Sequence, residues 1–280
     1  MTTLAGIETQ EEEDLCSLRS VRQIAALLDI DPATFREGQN LPNGWHFACF
    51  TWLDRQSDLG FDGLPPPPPV EGLDMMDARA MLGGRRLSFH RPIPIGACLR
   101  RRRAVAHIAS KEGRSGPITI VTRRAEIFVG DDSDPAIVEE EDMIYRSAAA
   151  TTPDATPKMA AQGASAEPAS VSRPFCPDEI HLFRYSAIGF NPHRIHYDLP
   201  YARDVEGFPA LVVNGGLTQL FLLELFRRTT GREAKTIAAR NLAPLFCGEA
   251  VTLNGRETEA GWTMWASGPS GVRAAESILS

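Results

Sequence analysis

From Gly216 to Thr229 the chain reads GLTQLFLLELFRRT, and its apolar residues fall on nearly every side of a helical period. Leu217, Leu220, Phe221, Leu222, Leu223, Leu225 and Phe226 leave little of a helix over 217–228 polar. Such a helix is expected to be enclosed rather than to lie on a surface, and Gly231 supplies its C-terminal stop. The runs KTIAARNLAPL, EAVTLNGRETEA, GWTMWASG and AAESIL that follow are rich in β-strand signals. Before the helix, HLFRYSAIG (181–189) reads as a strand, LPYARDVEG (199–207) as a short helix and turn, and ALVV as a strand end. A buried helix wrapped by antiparallel strands is the hotdog arrangement.

The first half carries a similar but weaker pattern. Leu18, Val21, Ile24, Leu27 and Leu28 have helical spacing within 16–30, with Ser17 or Ser20 as candidate caps. GWHFACF (44–50) reads as a strand. RRLSFHRPI (85–93), CLRRRRAVAHIAS (98–110), PITIVTRRAEIFV (117–129) and AIVEEEDMIYR (136–146) predict an antiparallel meander, with a turn at EGRSGP (112–117). The prolines of DGLPPPPPVEGLD (62–74) impose an extended surface segment. Residues 147–174 are almost purely small residues, Pro and Ser/Thr, the composition of a flexible tether. The chain thus divides into an N-terminal domain over 1–146, a linker over 147–174 and a C-terminal domain over 175–280.

Composition narrows the function classes. A net charge of −7 argues against a broad nucleic-acid surface, and the arginines of LRRRRA (99–104) read more simply as a solvated strand edge or an anion-facing patch. Five scattered cysteines without a CxxC pair fit reduced thiols. The acidic start MTTLAGIETQEEED has no leader pattern, and no apolar run reaches the length of a membrane span. The expectation is a cytoplasmic protein.

Candidate chemistry concentrates in GFNPHRIHYD (189–198). His193 and His196 stand three apart with neither an HExxH pattern nor a cysteine pair beside them, a poor metal signature. A histidine at the end of a buried segment is better suited to proton transfer. About twenty residues on, Asn214, Gly215 and Gly216 open the apolar helix. Free N–H groups at a helix N-terminus suit an oxyanion or a thioester carbonyl; glycines there can equally serve only a tight helix entry.

The stretch FRYSAIGFNPHRIHYDLPYARDVEGFPALVVNGGL (183–217) resembles the MaoC-like, (R)-specific enoyl-CoA hydratase superfamily. GGRRLSFHRPIPIG (83–96), KEGRSGPITIV (111–121) and EEEDMIYR (139–146) extend the likeness to the first half. The branch it is most similar to includes mesaconyl-C4-CoA hydratase, itaconyl-CoA hydratase and mitochondrial-type 3-hydroxyacyl-thioester dehydratase. The resemblance implies an α+β double hotdog: two antiparallel halves, each wrapped on a central helix, the first degenerate and contributing pocket and CoA contacts. It also implies an aspartate–histidine pair that activates water, and here Asn191 stands at the aspartate's place while His196 matches the histidine. His196 is then the acid–base group, Asn191 orients water, and Asp198 either fixes the imidazole tautomer or caps the helix after it. Gly215 and Gly216 carry over as oxyanion donors, and Asn214 replaces a histidine usual in the family.

Arg194, Tyr201, His90 and Arg91 are candidates for substrate or CoA contacts, as are the arginines at 100–103. For Arg194 an ordinary ion pair and for Tyr201 a core position are the plainer readings, while His193 reads as a solvated loop residue and His46, His107 and His181 as structural. The implied activity is reversible hydration of an unsaturated acyl-CoA, with a C5 dicarboxylyl-CoA (itaconyl- or mesaconyl-C4-CoA, giving citramalyl-CoA) ahead of medium-chain 3-hydroxyacyl thioesters. A hotdog thioesterase or an inactive acyl-CoA binder is the rival. No metal or redox cofactor is implied, coenzyme A being part of the substrate, and neither a nucleic-acid nor a membrane partner is expected. The two halves can pair as an internal pseudo-dimer, with a homodimer open beyond that.

Overall fold

The computed structural model describes residues 9–66, 78–113, 116–147 and 168–280. Its ten strands form a single antiparallel sheet in the order β1-β3-β4-β5-β2-β7-β10-β9-β8-β6. In the first half these are β1 (Gln10–Leu15), β2 (Ala78–Phe89), β3 (Cys98–Gly113), β4 (Gly116–Val129) and β5 (Ile137–Ser147). The second half holds β6 (Val171–Phe175), β7 (Thr236–Asn241), β8 (Val251–Thr258), β9 (Gly261–Ser267) and β10 (Arg273–Leu279). Outward from the β2–β7 seam the two sides repeat each other, β2-β5-β4-β3-β1 against β7-β10-β9-β8-β6. Each side also opens alike, with a short edge strand and a ten-residue helix: α1 (Leu18–Leu27) after β1 and α2 (Glu179–Ile188) after β6. The fold is the α+β double hotdog.

The halves are unequal in their helices. α3 (Gly215–Thr230) packs on β8, β9 and β10 and buries Leu217, Leu220, Leu222, Leu223, Leu225 and Phe226. Each such side chain contributes about 2 kcal/mol when fully buried. Glu224 is buried among them, its charge met by Arg228 at 2.7 Å and Arg227 at 3.7 Å. In the first half, among the described residues, no long helix takes the equivalent place; a 3-10 turn, Trp45–Ala48, lies there instead. Pro32, Pro42 and Gly44, the last at φ 89°, interrupt any helix in that segment. Among the described residues the expected central helix is therefore found in the second half and not in the first.

Several expectations need correction. GWHFACF is that 3-10 turn and not a strand. HLFRYSAIG is the body of α2, fixed by a capping box in which Asp178 and His181 each bond the other's backbone N–H. An Asp three residues before a polar side chain was the signal for it. The segment 147–174 is described only at its ends: Ser147 closes β5, and 171–174 form most of β6, paired with β8. Composition could not reveal that pairing, because the partner strand lies about eighty residues away. The proline-rich segment 62–74 lies outside the described residues beyond Pro66.

The acidic N-terminus forms β1 and runs antiparallel to the arginines of β3, pairing Glu13 with Arg100, Glu12 with Arg101 and Glu11 with Arg102 in register. Arg101 forms an ion pair with Glu12, and Arg102 reaches Glu126 at 2.6 Å. Arg100 and Arg102 also stack on Phe128. These arginines are a charge-matched strand pairing, not a free anion patch. Among the described residues no helix is long and apolar enough to cross a membrane.

Candidate active site

α2 ends at Gly189, and the next seven residues turn back across the N-terminus of α3. Phe190 sits at φ 48°, a strained conformation for a bulky residue, and Asn191 N–H closes the turn on the Ser186 carbonyl at 2.8 Å. The Asn191 side-chain oxygen accepts from the His193 N–H at 3.0 Å, leaving its amide N–H groups without a partner among the described residues. His196 is buried, and its Nδ1 lies 2.7 Å from the Val212 carbonyl. A carbonyl can only accept, so Nδ1 carries the proton and Nε2 is a free base. Burial holds the His196 pKa down to about 4, against a smaller opposing effect of the Val212 bond. The imidazole is accordingly neutral at physiological pH.

His193 packs edge-on against His196 with ring centroids 5.3 Å apart, and burial, with help from His196, lowers its pKa to about 3. It is thus not a solvated loop residue. Among the described residues no three His, Cys, Asp or Glu side chains are grouped as metal ligands.

The Val212 that fixes His196 is two residues from the α3 cap. The Asn214 side chain donates to Ser186 Oγ at 3.2 Å and makes no cap bond, and its Oδ1 is buried without a partner. Thr218 N–H, bonded to the Asn214 carbonyl at 3.2 Å, is the first in the helix with a backbone acceptor, so the N–H groups of Gly215, Gly216 and Leu217 have no partner among the described residues. Close packing demands both glycines. A Cβ on Gly216 would come 1.9 Å from the Tyr185 hydroxyl, and one on Gly215 would come 2.7 Å from the Asn241 amide.

The other sequence candidates divide. Asp198 does not touch His196; it accepts from Tyr201 N–H at 3.0 Å and pairs with Arg194 at 2.8 Å, so it caps the following turn while Val212 sets the tautomer. Arg194 is committed as well: besides Asp198 it donates to the Phe61 carbonyl at 2.8 Å and lies 4.2 Å over the Tyr201 ring. It ties the loop to the first half and has few donors to spare for a ligand. Tyr201 is buried, and its hydroxyl donates to Glu206 at 2.7 Å, the core position. Arg91 is held by Asp132 at 3.1 Å and by the Asp134 carbonyl, and neither it nor His90 lines the cavity beside the site.

That cavity lies at the seam between the halves. β2 lends Leu82, Arg85 and Leu87, β7 lends Ile237 and Ala239, and Gly216, Gln219, Leu220 and Leu223 of α3 form another wall. Tyr185, His46 and Phe47 complete it, whereas His193 and His196 are not part of its lining. Sequence reasoning missed Arg85, Gln219 and Tyr185, since no local motif marks residues that meet only across the seam.

Polar groups gather on one side of the cavity. Arg85 Nε lies 3.1 Å from Glu139 and its guanidinium also bonds Glu141, while His46 Nε2 is 3.4 Å from Glu139. Burial works against ionisation of Glu139, yet Arg85 and His46 hold its carboxyl below the usual carboxylate range. Gln219 accepts from Ser277, and its Nε2 is buried without a partner.

The family model described as "Hydroxyacyl-thioester dehydratase type 2" matches residues 44–247, a span holding the His196 loop and all of the cavity lining but Ser277 and Leu279. The chain belongs to the hydroxyacyl-thioester dehydratase type 2 family. It is thereby one of the hydro-lyases of the hydratase–dehydratase type. It is 36% identical over 275 residues to a mesaconyl-C(4)-CoA hydratase of Chloroflexus aurantiacus, an alignment covering 96% of this chain and 93% of that protein. In fold it is similar to a MaoC-like dehydratase of Phytophthora capsici (TM-score 0.68, 15% identity, 98% of this chain and 95% of the other). It is also similar to a Mycobacterium tuberculosis protein described as a double hotdog (TM-score 0.56, 13% identity, covering 99% and 96%).

Proposed function

We propose that the protein reversibly adds water across the double bond conjugated to the thioester of an unsaturated acyl-CoA. The observation that carries this reading is His196: neutral, held by Val212 with Nε2 free, and linked through residues 212–214 to the unclaimed N–H groups of α3. In the hydration direction Nε2 takes a proton from water held by the Asn191 amide. The water oxygen bonds to the carbon β to the thioester, and the π electrons move onto the thioester oxygen, which faces the N–H groups of Gly215 and Gly216. The protonated imidazole then returns its proton to the α carbon, and the carbonyl re-forms. One base that shuttles one proton meets the need, so an amide at position 191 does not break the cycle. The reading calls for no metal or redox group.

The substrate we favour is a C5 dicarboxylyl-CoA: mesaconyl-C4-CoA, hydrated directly to citramalyl-CoA, or itaconyl-CoA. The double bond of itaconyl-CoA runs from the β carbon to a terminal methylene and must first shift into conjugation with the thioester, the α carbon losing a proton and the methylene gaining one. The likeness to a mesaconyl-C(4)-CoA hydratase supports it. So does a cavity whose apolar walls suit a methyl branch while Gln219 Nε2 and the Arg85 side chain, paired on Nε and Nη2, offer donors to a distal carboxylate. Purified protein should hydrate mesaconyl-C4-CoA faster than a medium-chain 2-enoyl-CoA. Turnover of only the medium-chain ester would assign the dehydratase reading instead. Release of free CoA without a hydrated product would assign a thioesterase.

A further inference from the structure

Tyr185 has no part in the scheme above, yet its hydroxyl packs against Gly216 at the start of α3. It projects from α2, is 8% exposed, and its ring stacks on Phe47 at 4.9 Å with planes 20° apart. The hydroxyl meets the first turn of α3 so closely that only glycine fits at 216. Because Cα–Cβ bonds tilt toward a helix N-terminus, that hydroxyl lies beside the unclaimed N–H groups rather than further down the helix. It makes no hydrogen bond to any described residue, and it borders the cavity.

A hydroxyl without a protein partner that opens on a cavity, beside helix N–H groups that also lack one, is placed to be completed by a ligand in that cavity. The N–H groups can only donate and the phenol can donate alongside them, so a single acceptor oxygen completes both. Burial pushes the Tyr185 phenol up to about 12, which keeps it protonated across the physiological range. We infer that Tyr185 is a catalytic residue whose hydroxyl donates to the thioester oxygen together with the Gly216 N–H. The inference rests on the reading that an acyl thioester is bound at the N-terminus of α3. The electron pair that reaches the thioester oxygen during hydration is then met by two donors. Asn214, whose amide is spent on Ser186, is not one of them.

Tyr185→Phe removes one oxygen atom and retains the ring stack. Loss of a single oxyanion donor typically lowers kcat about 10²- to 10³-fold, and that loss is expected here with KM changed less than about threefold. Thermal unfolding should be unchanged or slightly improved, because the hydroxyl has no protein partner to lose. A second measurement does not depend on turnover: infrared spectroscopy of bound butyryl-CoA labelled with ¹³C at the thioester carbonyl, a probe that cannot take up water. The carbonyl stretch should fall on binding to the wild type and move back toward its free value in Tyr185→Phe. Equal carbonyl frequencies in the two proteins, a kcat within threefold of wild type, or failure of butyryl-CoA to bind would each overturn the proposal. A Tyr185-dependent frequency shift in a wild type that hydrates no enoyl-CoA would support the contact while refuting the hydratase reading.

Discussion

Acidification probes the burial of His196 without any substrate. The unfolded chain binds a proton at this residue as the pH falls through about 6.5, but the folded chain does so only near about 4. Between those values the unfolded state binds more protons, so stability decreases as pH falls; above about 6.5 the difference vanishes. At pH 5 about 1.5 units of the gap have been crossed. At about 1.4 kcal/mol per unit this amounts to about 2 kcal/mol lost from the His196 site. His193, held down to about 3 by the same burial, acts in the same direction. Urea unfolding at pH 7 and pH 5, on wild type and on His196→Gln, separates the two. Glutamine can still donate to the Val212 carbonyl but binds no proton in this range, so the variant should lose about 2 kcal/mol less on acidification. An identical loss in both proteins would refute a buried, neutral His196.

Further outcomes follow from the same geometry. His196→Gln should lower hydration about 10²- to 10⁴-fold, the usual contribution of a general base, and activity retained within a few-fold would remove His196 from the mechanism. Asn191→Asp keeps the bond to the His193 N–H but sets a negative charge beside both imidazoles, so the acid limb of the kcat profile should move to higher pH; an unmoved limb would show that position 191 does not sense His196. Gly216→Ala drives a methyl group into the Tyr185 hydroxyl and should destabilise the fold by about 1–3 kcal/mol, read as a lower thermal midpoint. Glu139→Ala leaves Arg85 and His46 without their shared carboxylate; Arg85 keeps Glu141, so the loss should stay below the about 3–5 kcal/mol of a fully broken buried pair, and a wild-type urea midpoint would contradict the burial of that cluster.

The sequence by itself determined the features that depend on near neighbours. The apolar circumference of 217–228 located α3 and its enclosure, Gly231 located its end at φ 68°, and β-branched alternation located eight of the ten strands. The grouping of Asn191, His196 and the glycines of α3 came from the resemblance of 183–217 to a known family, and the structure adds the His196–Val212 bond that links that loop to the segment before α3. The edge strands β1 and β6 escaped because each is defined by a partner about eighty to ninety residues away, and charge or small-residue composition masked them. The choice between tautomer and cap for Asp198 was likewise undecidable, since it turned on where the Val212 carbonyl lies. Only the tertiary structure brought Arg85, His46, Gln219 and Tyr185 to one cavity. They come from β2, the 3-10 turn, α3 and α2, and the pairing of β2 with β7 is what closes the seam around them. A residue's period and its immediate neighbours fix the face it presents, whereas the opposing face is fixed by strand order, which no local pattern encodes.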